Sequence, residues 1–231
     1  MEKEQKLLSL EKIQTIKRKN ITKVICIIFI FSIVIMLIDL PNGYIKGHDT
    51  DFHFPAITAI AEKLSWNNLI VQEPLKYIGN NFGYGTRFFY PPLPHLTAAY
   101  ITKMLTVFNI NNVAIGMRIT QWLTIFLSGV AFYFLGEKLF KSKKISVLLS
   151  LFYMTAPYHL AQIFIRDSFS EMFIPIAIPL IVLGLLHLTE KKYKSFLCCF
   201  VVRIYNRYLF TFGNDDFFYT YDISNLFYSV F

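Results

Sequence analysis

The sequence contains few cysteines and few charged residues, and both shortages narrow the class of protein. Its three cysteines are Cys26, inside an apolar run, and the adjacent Cys198 and Cys199. This spacing matches neither a zinc site nor a disulfide framework. Only 16% of the 231 residues are charged, whereas 55% are hydrophobic. A soluble domain rarely has so apolar a composition, and long uncharged runs are typical of a polytopic membrane protein.

Short motifs of several common enzyme classes are also missing. The chain has no phosphate-binding P-loop, no Gly-x-Ser-x-Gly and no His-Glu-x-x-His. A net charge of +8 would suit a nucleic-acid partner, but the basic residues cluster at the ends of apolar runs rather than along one face. That distribution fits retention on the cytoplasmic side of a membrane, so we expect membrane lipids and no nucleic acid as partners.

Four apolar runs are predicted to cross the membrane as helices, so the expected fold is all-α. A basic lead-in at residues 1–20 precedes the first run, which reads as an uncleaved signal anchor because no small-residue cleavage site follows it. We expect a multi-pass protein of the inner (cytoplasmic) membrane with its N-terminus in the cytoplasm. The four predicted spans are Ile21–Leu40, Ile115–Leu135, Ile145–Ile163 and Met172–Leu188.

A fifth apolar stretch, Leu93–Phe108, decides the topology. It is short, and its apolar stripe lies opposite polar residues, as in a helix lying in the membrane interface. If it lies flat on the outer face, both lysine-rich loops fall inside, which the positive-inside rule favours. The prediction is a module at residues 21–195 with a large helical outer loop at 41–115. The stripe is Leu93, Leu96, Tyr100, Met104 and Val107, and the polar face is His95, Thr102, Thr106 and Asn109.

The tail at residues 196–231 does not continue this pattern. Arg203 and Arg207 interrupt its apolar part, and charge at mid-bilayer is costly. The tail is either a marginal fifth span or a terminus that does not pack, so the count is four to five spans.

A polar stretch beyond the first span, Gly47–His53, has the densest potential chemistry. In an extended backbone, Asp49 and Asp51 project to one side and could share a cation or a proton. If the stretch opens a helix, Asp49 and His53 lie one turn apart. The alternative is an N-terminal cap for a helix predicted over Phe54–Leu64, with a proline in its first turn.

Three groups of residues, in this order, resemble a bacterial membrane-protein family. The family is labelled "6-pyruvoyl-tetrahydropterin synthase-related" and is similar to the GT-C class of glycosyltransferases. The resemblance covers roughly residues 20–195. The label does not indicate an activity, because the three-histidine zinc cluster of a pterin synthase is missing. The groups are His48-Asp49-x-x-Phe52-His53, then Gly83-Tyr84-Gly85 running into Phe89-Tyr90-Pro91-x-Leu93, and Arg166-x-x-x-x-Glu171.

The resemblance implies transfer of a sugar from a polyprenyl-phosphate donor at the outer face of the membrane. Asp49 matches the acidic residue that serves such enzymes as general base or metal ligand, with Asp51 as a second candidate. The implied cofactor is a divalent cation, Mg²⁺ or Mn²⁺, held by these two aspartates. His53 and Arg166 match the family's histidine and arginine.

Further substrate-binding candidates follow from side-chain chemistry. Arg87 and Arg166 could bind a lipid phosphate through two oxygens at once. The alternatives are interfacial snorkelling, or pairing of Arg166 with the nearby Asp167 or Glu171. Tyr90 could line a sugar or lipid cleft, or belong to an aromatic belt. Glu171 lies one helical turn from Asp167, so the two would share a face beside the arginine.

Two features depart from the family. Its members are longer, and the residues after Leu197 do not look like the span expected there. A truncated or frame-shifted member would have no activity, so a non-catalytic membrane remnant is one alternative. The other is a transport or lipid-handling protein, which predicts ionisable residues facing one another inside spans. Here such residues lie at span ends, apart from Arg118, Arg203 and Arg207.

Overall fold

The computed structural model describes residues 21–38, 46–69 and 91–189, with side chains to residue 187. The predictions for the lead-in, for Arg87 and Tyr90 and for the tail lie outside these ranges. Within them the chain forms seven helices and no strand, which confirms the all-α class.

The helices occupy each of the predicted apolar runs. A 3₁₀ turn, Thr106–Phe108, extends α3, and a π-helical turn, Ala161–Arg166, extends α6. The helices are α1 (Ile21–Leu37), α2 (Thr50–Lys63), α3 (Pro92–Leu105), α4 (Val113–Phe140), α5 (Lys143–Met154), α6 (Pro157–Leu160) and α7 (Ile174–Thr189).

One described helix, α4, is long and apolar enough to cross a membrane by itself, with 28 residues. A second candidate combines α5 with α6 and its π turn, which are bent by 43° at the break between them. The break has a local cause, because Ala156 before Pro157 adopts extended backbone with ψ 131°. Helices α1 and α7 are apolar but shorter. By length and composition, the described residues thus contain one helix that could cross a membrane, or two if the bent pair counts as one, against the four spans predicted from the sequence.

Helix α2 begins earlier than predicted. Its first residue is Thr50 rather than Phe54, because the carbonyl of Asp49 already accepts the N–H of His53 at 3.0 Å. The prediction of Pro55 in the first turn was therefore wrong. Pro55 lies inside the helix and removes one hydrogen bond from it.

Helices α2 and α3 start and end side by side and pack against the beginning of α4. Near their starts His53 contacts His95, and near their ends the hydroxyl of Tyr100 donates to the carbonyl of Leu69. Small residues allow this close packing, since a Cβ atom at Gly116 of α4 would overlap atoms of α3. The buried apolar centre of this cluster includes Ala56, Ile57, Ile60, Ala98, Ala99, Met117 and Phe169.

On several helices, large apolar side chains are exposed and hydroxyl side chains are buried. Ile30, Phe152 and Ile165 are 60%, 64% and 56% exposed. On α3, the polar residues His95 and Thr102 are buried, whereas Leu93, Met104 and Val107 of the apolar stripe are exposed. Leu96 and Tyr100 of the same stripe pack against the buried cluster. The buried hydroxyl side chains include Ser32, Thr102, Thr120, Thr124, Ser128, Ser146 and Ser150.

Candidate functional site

Two segments that are distant in sequence pair through their backbones. The N–H of His48 donates to the carbonyl of Ile165 at 3.1 Å, and the N–H of Asp49 donates to the carbonyl of Arg166 at 2.8 Å. This pairing brings the polar stretch before α2 against the end of the π turn. We name the residues 47–50, 121 and 162–171 the polar junction.

Gly47 makes this approach possible. A Cβ atom at this position would lie 2.6 Å from the Cβ of Asp167 and 2.7 Å from the carbonyl carbon of Arg166. Distances below 3.0 Å to backbone atoms cannot be relieved by moving a flexible side chain. A glycine is therefore needed where the two segments meet.

Asp49 occupies the N-cap position of α2, but its side chain makes no capping hydrogen bond. Its carboxylate instead faces Arg166, with 3.7 Å between Oδ2 and Nη2, and is 39% exposed. The cap interpretation is thus right for the position of the residue and not for its carboxylate. Because the Asp49 carboxylate makes no capping bond and is partly exposed, it can interact with a bound substrate.

Arg166 lies between two carboxylates. Its Nη1 donates to Glu171 Oε2 at 3.3 Å, and its side chain is 43% exposed. The same oxygen accepts the Nε2 of Gln162 at 2.7 Å and the hydroxyl of Tyr158 at 3.0 Å. Glu171 is therefore fixed by three donors, while the partly exposed guanidinium can exchange a carboxylate for a phosphate.

Asp167 and Glu171 do not share a helical face, so that prediction was wrong. Asp167 adopts a left-handed backbone with φ 57° at the end of the π turn, and the helix does not continue. Its side chain is buried at 2% exposure, whereas Glu171 reaches the surface.

The two candidate catalytic aspartates diverge because the stretch is helical rather than extended. Asp51 is 84% exposed and pairs with Lys46 at 3.0 Å, away from Arg166. In the part of the chain that the structure describes, no three His, Cys, Asp or Glu side chains are close enough to hold a metal ion. A cation shared by Asp49 and Asp51 does not fit this arrangement.

His53 is buried rather than facing a substrate. Its Nδ1 lies 2.8 Å from Nε2 of His95, with Phe169 packed against both rings. Burial, aided by the charge of Arg166, lowers the pKa of His53 to about 4. Burial and then His53 lower the pKa of His95 to about 3, against a hydrogen bond with the backbone of Pro91. Both imidazoles are therefore neutral at pH 7, one donating to the other.

Sequence reasoning missed the roles of Thr50, Gln121 and Asp167 in the junction, although Asp167 was named as a neighbour of Arg166 and Glu171. The signal for Gln121 is that it lies with Arg118 in a mainly apolar helix, α4. No local pattern identifies the partners of Thr50 or Asp167, because those partners depend on which segments meet.

No family model, no curated protein and no solved structure matches the chain. Its chemistry is therefore argued from the geometry of the polar junction.

Proposed function

We propose that the chain is a multi-span membrane glycosyltransferase of GT-C-like type, which takes a sugar from a polyprenyl-phosphate donor at the outer face of the inner membrane. The observation that carries the proposal is the pairing of Asp49 with Arg166. A partly exposed carboxylate and a partly exposed guanidinium lie side by side. Together they supply a proton acceptor and a phosphate ligand.

The distribution of polarity supports the membrane part of the proposal. Buried hydroxyls and small residues between helices, with large apolar side chains outside, are typical of helices that pack in lipid. In water, so many exposed apolar side chains would favour aggregation. The proposed spans are α1, α4, α5 with α6, and α7, while α2 and α3 lie at the outer face.

The lysine-rich turn between α4 and α5 supports the outer placement of the junction. Gly136 of α4 packs against Ser146 of α5 near this turn, so the two helices are antiparallel. Gln121, towards the other end of α4, contacts Asp167. Lys138, Lys141, Lys143 and Lys144 thus lie at the opposite end from the junction. With the lysines in the cytoplasm, the junction faces outward.

In the proposed reaction, the acceptor hydroxyl transfers its proton to Asp49 as its oxygen bonds to the anomeric carbon of the donor sugar. The bond between that carbon and the phosphate oxygen breaks, and polyprenyl phosphate leaves with the electron pair. Arg166 binds the phosphate charge. Because Asp49 and Asp51 diverge, no step is assigned to a metal ion.

The test uses the full chain in proteoliposomes with a radiolabelled panel of polyprenyl-phosphate hexoses and an added polyol as acceptor, and it measures release of the labelled sugar from the lipid to the acceptor. Asp49→Asn is expected to lower the rate at least about 100-fold without changing membrane insertion. Glu62→Gln, an exposed carboxylate on the same helix, is the matched control and should keep the wild-type rate. Retained transfer by Asp49→Asn, or loss confined to Asp51→Asn, would contradict the assignment.

One observation favours a second candidate, a lipid-handling protein without covalent chemistry. Arg118 donates to Oε1 of Gln121 at 3.1 Å, and Nε2 of Gln121 donates to Asp167. Two ionisable residues, Arg118 of α4 and Asp167 after the π turn, are therefore connected through Gln121, and the transport hypothesis predicts ionisable residues that face one another. In that case the wild-type chain would bind polyprenyl phosphate in nanodiscs and release no sugar, and Asp49→Asn would bind it equally well.

A further inference from the structure

We propose that Asp167 is a positioning residue, which together with Thr50 and Gln121 locks the segment carrying Asp49 against Arg166. This inference rests on the proposed function for its catalytic consequence, although the lock itself can be measured without any activity. It assigns a role to a buried carboxylate that touches neither the sugar nor the phosphate in the proposed reaction.

Both oxygens of the Asp167 carboxylate accept hydrogen bonds from other elements. Oδ2 accepts the hydroxyl of Thr50 at 2.5 Å, and Oδ1 accepts Nε2 of Gln121 at 2.5 Å. The three side chains are 2%, 2% and 1% exposed for Thr50, Asp167 and Gln121. One carboxylate therefore joins the start of α2, the third turn of α4 and the end of the π turn.

The hydroxyl of Thr50 connects this carboxylate to the chain before Asp49. While it donates to Asp167, it accepts the N–H of Gly47 at 2.8 Å. A single hydroxyl can do both, because it has one proton and two lone pairs. Serine could replace threonine in this role, and valine, of the same shape, could not.

Gln121 is held in one orientation by Arg118. The guanidinium donates to Oε1, so the amide group must present Nε2 to Asp167. Reversing the amide would place a donor against the cation. Arg118, which the sequence singled out as an ionisable residue within an apolar helix, thereby acts on the junction through Gln121.

The lock matters because the Asp49 carboxylate is not fixed by a helix cap. It lies 3.7 Å from Arg166, beyond a direct hydrogen bond, so its place depends on the backbone of residues 47–49. That backbone is held by the two bonds to Ile165 and Arg166 and by the Thr50–Asp167 bond. If this backbone became more mobile, the Asp49 carboxylate would no longer be held at the position that proton transfer requires.

The first experiment measures amide hydrogen exchange by mass spectrometry on the full chain in nanodiscs. Thr50→Val and Asp167→Asn are expected to speed exchange at residues 47–49 by about tenfold or more, because the hydrogen bonds that close this segment weaken. Thr50→Ser should restore protection. Thr58→Val is the matched control, since the hydroxyl of Thr58 bonds only locally to the carbonyl of Phe54. Unchanged exchange in both Thr50→Val and Asp167→Asn would overturn the lock.

The second experiment is a double-mutant cycle on sugar release from the same donor panel. Thr50→Val should lower kcat with little change in KM for the donor, and the loss should vanish in the Asp49→Asn background. Additive losses in the two variants would overturn the positioning role. A wild-type chain that releases no sugar would count against the proposed function, whereas the exchange measurement would still decide whether the lock exists.

Discussion

Two of the described regions that contain buried polar groups, the polar junction and the interface between α4 and α5, satisfy these groups in different ways. In the interface, Ser128 donates to the carbonyl of Ile125, and Ser146 donates to the carbonyl of Ser142, each within three or four residues. In the junction, the bond from Thr50 to Asp167 spans 117 residues of sequence.

The difference shows what each region demands of the sequence. A hydroxyl in a helix can be satisfied by its own backbone, so the helix interface needs only small residues at the contact. A buried carboxylate needs donors from elsewhere, so the junction requires particular residues on three separate elements. Substitutions in the interface should therefore lower the free energy of unfolding less than substitutions in the junction.

The largest expected effect is loss of the junction carboxylate. Asp167→Ala leaves the buried donors of Thr50 and Gln121 without this acceptor, and we expect the free energy of unfolding to fall by about 3 kcal/mol. Chemical unfolding of the full chain in detergent micelles measures this change. Ser128→Ala in the helix interface should cost less than about 1 kcal/mol; equal losses would remove the distinction between the regions.

His53 and His95, which pack against Phe169 of the polar junction, predict that the free energy of unfolding depends on pH. Their pKa values, about 4 for His53 and about 3 for His95, lie below the ordinary value of 6.5. The unfolded chain therefore binds protons first, so this stability is complete above pH 6.5 and is lost as pH falls towards the folded pKa values. At pH 5 the loss should be about 2 kcal/mol for each histidine.

Unfolding curves at pH 7 and pH 5 measure this loss. His95→Gln should reduce the difference between the two pH values by about half, because one of the two depressed groups is gone. The exposed His48 supplies the control, and His48→Gln should leave the difference unchanged. A wild-type chain whose stability is the same at both pH values would contradict the burial of neutral histidines.

Two glycines sharpen the comparison further. Gly47→Ala would press a methyl group against the backbone of residues 166 and 167, and we expect a loss of about 2 kcal/mol. Gly129→Ala would press against the buried side chains of Met154 and Ile28 rather than against backbone atoms, so its loss should be smaller, about 1 kcal/mol. Thermal unfolding of both variants compares them directly, and the reverse order would show that the interface is the more rigid region.

The smallest effect is expected for a hydroxyl bond that crosses between α4 and α5. Ser150 donates to the carbonyl of Gly129 at 2.6 Å. Because such interhelical bonds contribute modestly, Ser150→Ala should cost about 0.6 kcal/mol, measured by the same unfolding method. Thr124→Val, which removes a bond within one helix, should cost no more. A loss above about 2 kcal/mol for Ser150→Ala would show that the interface is as sensitive to substitution as the junction.

Much of the helical framework could be predicted from the sequence. The lengths of the apolar runs are local properties, and helices formed in each of the predicted runs. The break at Pro157, inside the predicted span Ile145–Ile163, was not predicted. Helical periodicity sets the two faces of Leu93–Phe108, but it did not predict how they are buried. The polar residues His95 and Thr102 face the core, and Leu96 and Tyr100 of the apolar stripe also pack against it. The start of α2 was placed late, since Pro55 was taken for a first-turn residue.

By itself, the sequence determined the all-α class, the apolar character of the helices and the candidates Asp49, Arg166 and Glu171. Only the tertiary structure decided that Asp51 turns away, that His53 meets His95 and that Asp167 becomes the centre of the junction. The reason is physical: helix formation depends on neighbours three and four residues apart. The partners of a buried carboxylate depend on which distant segments pack together.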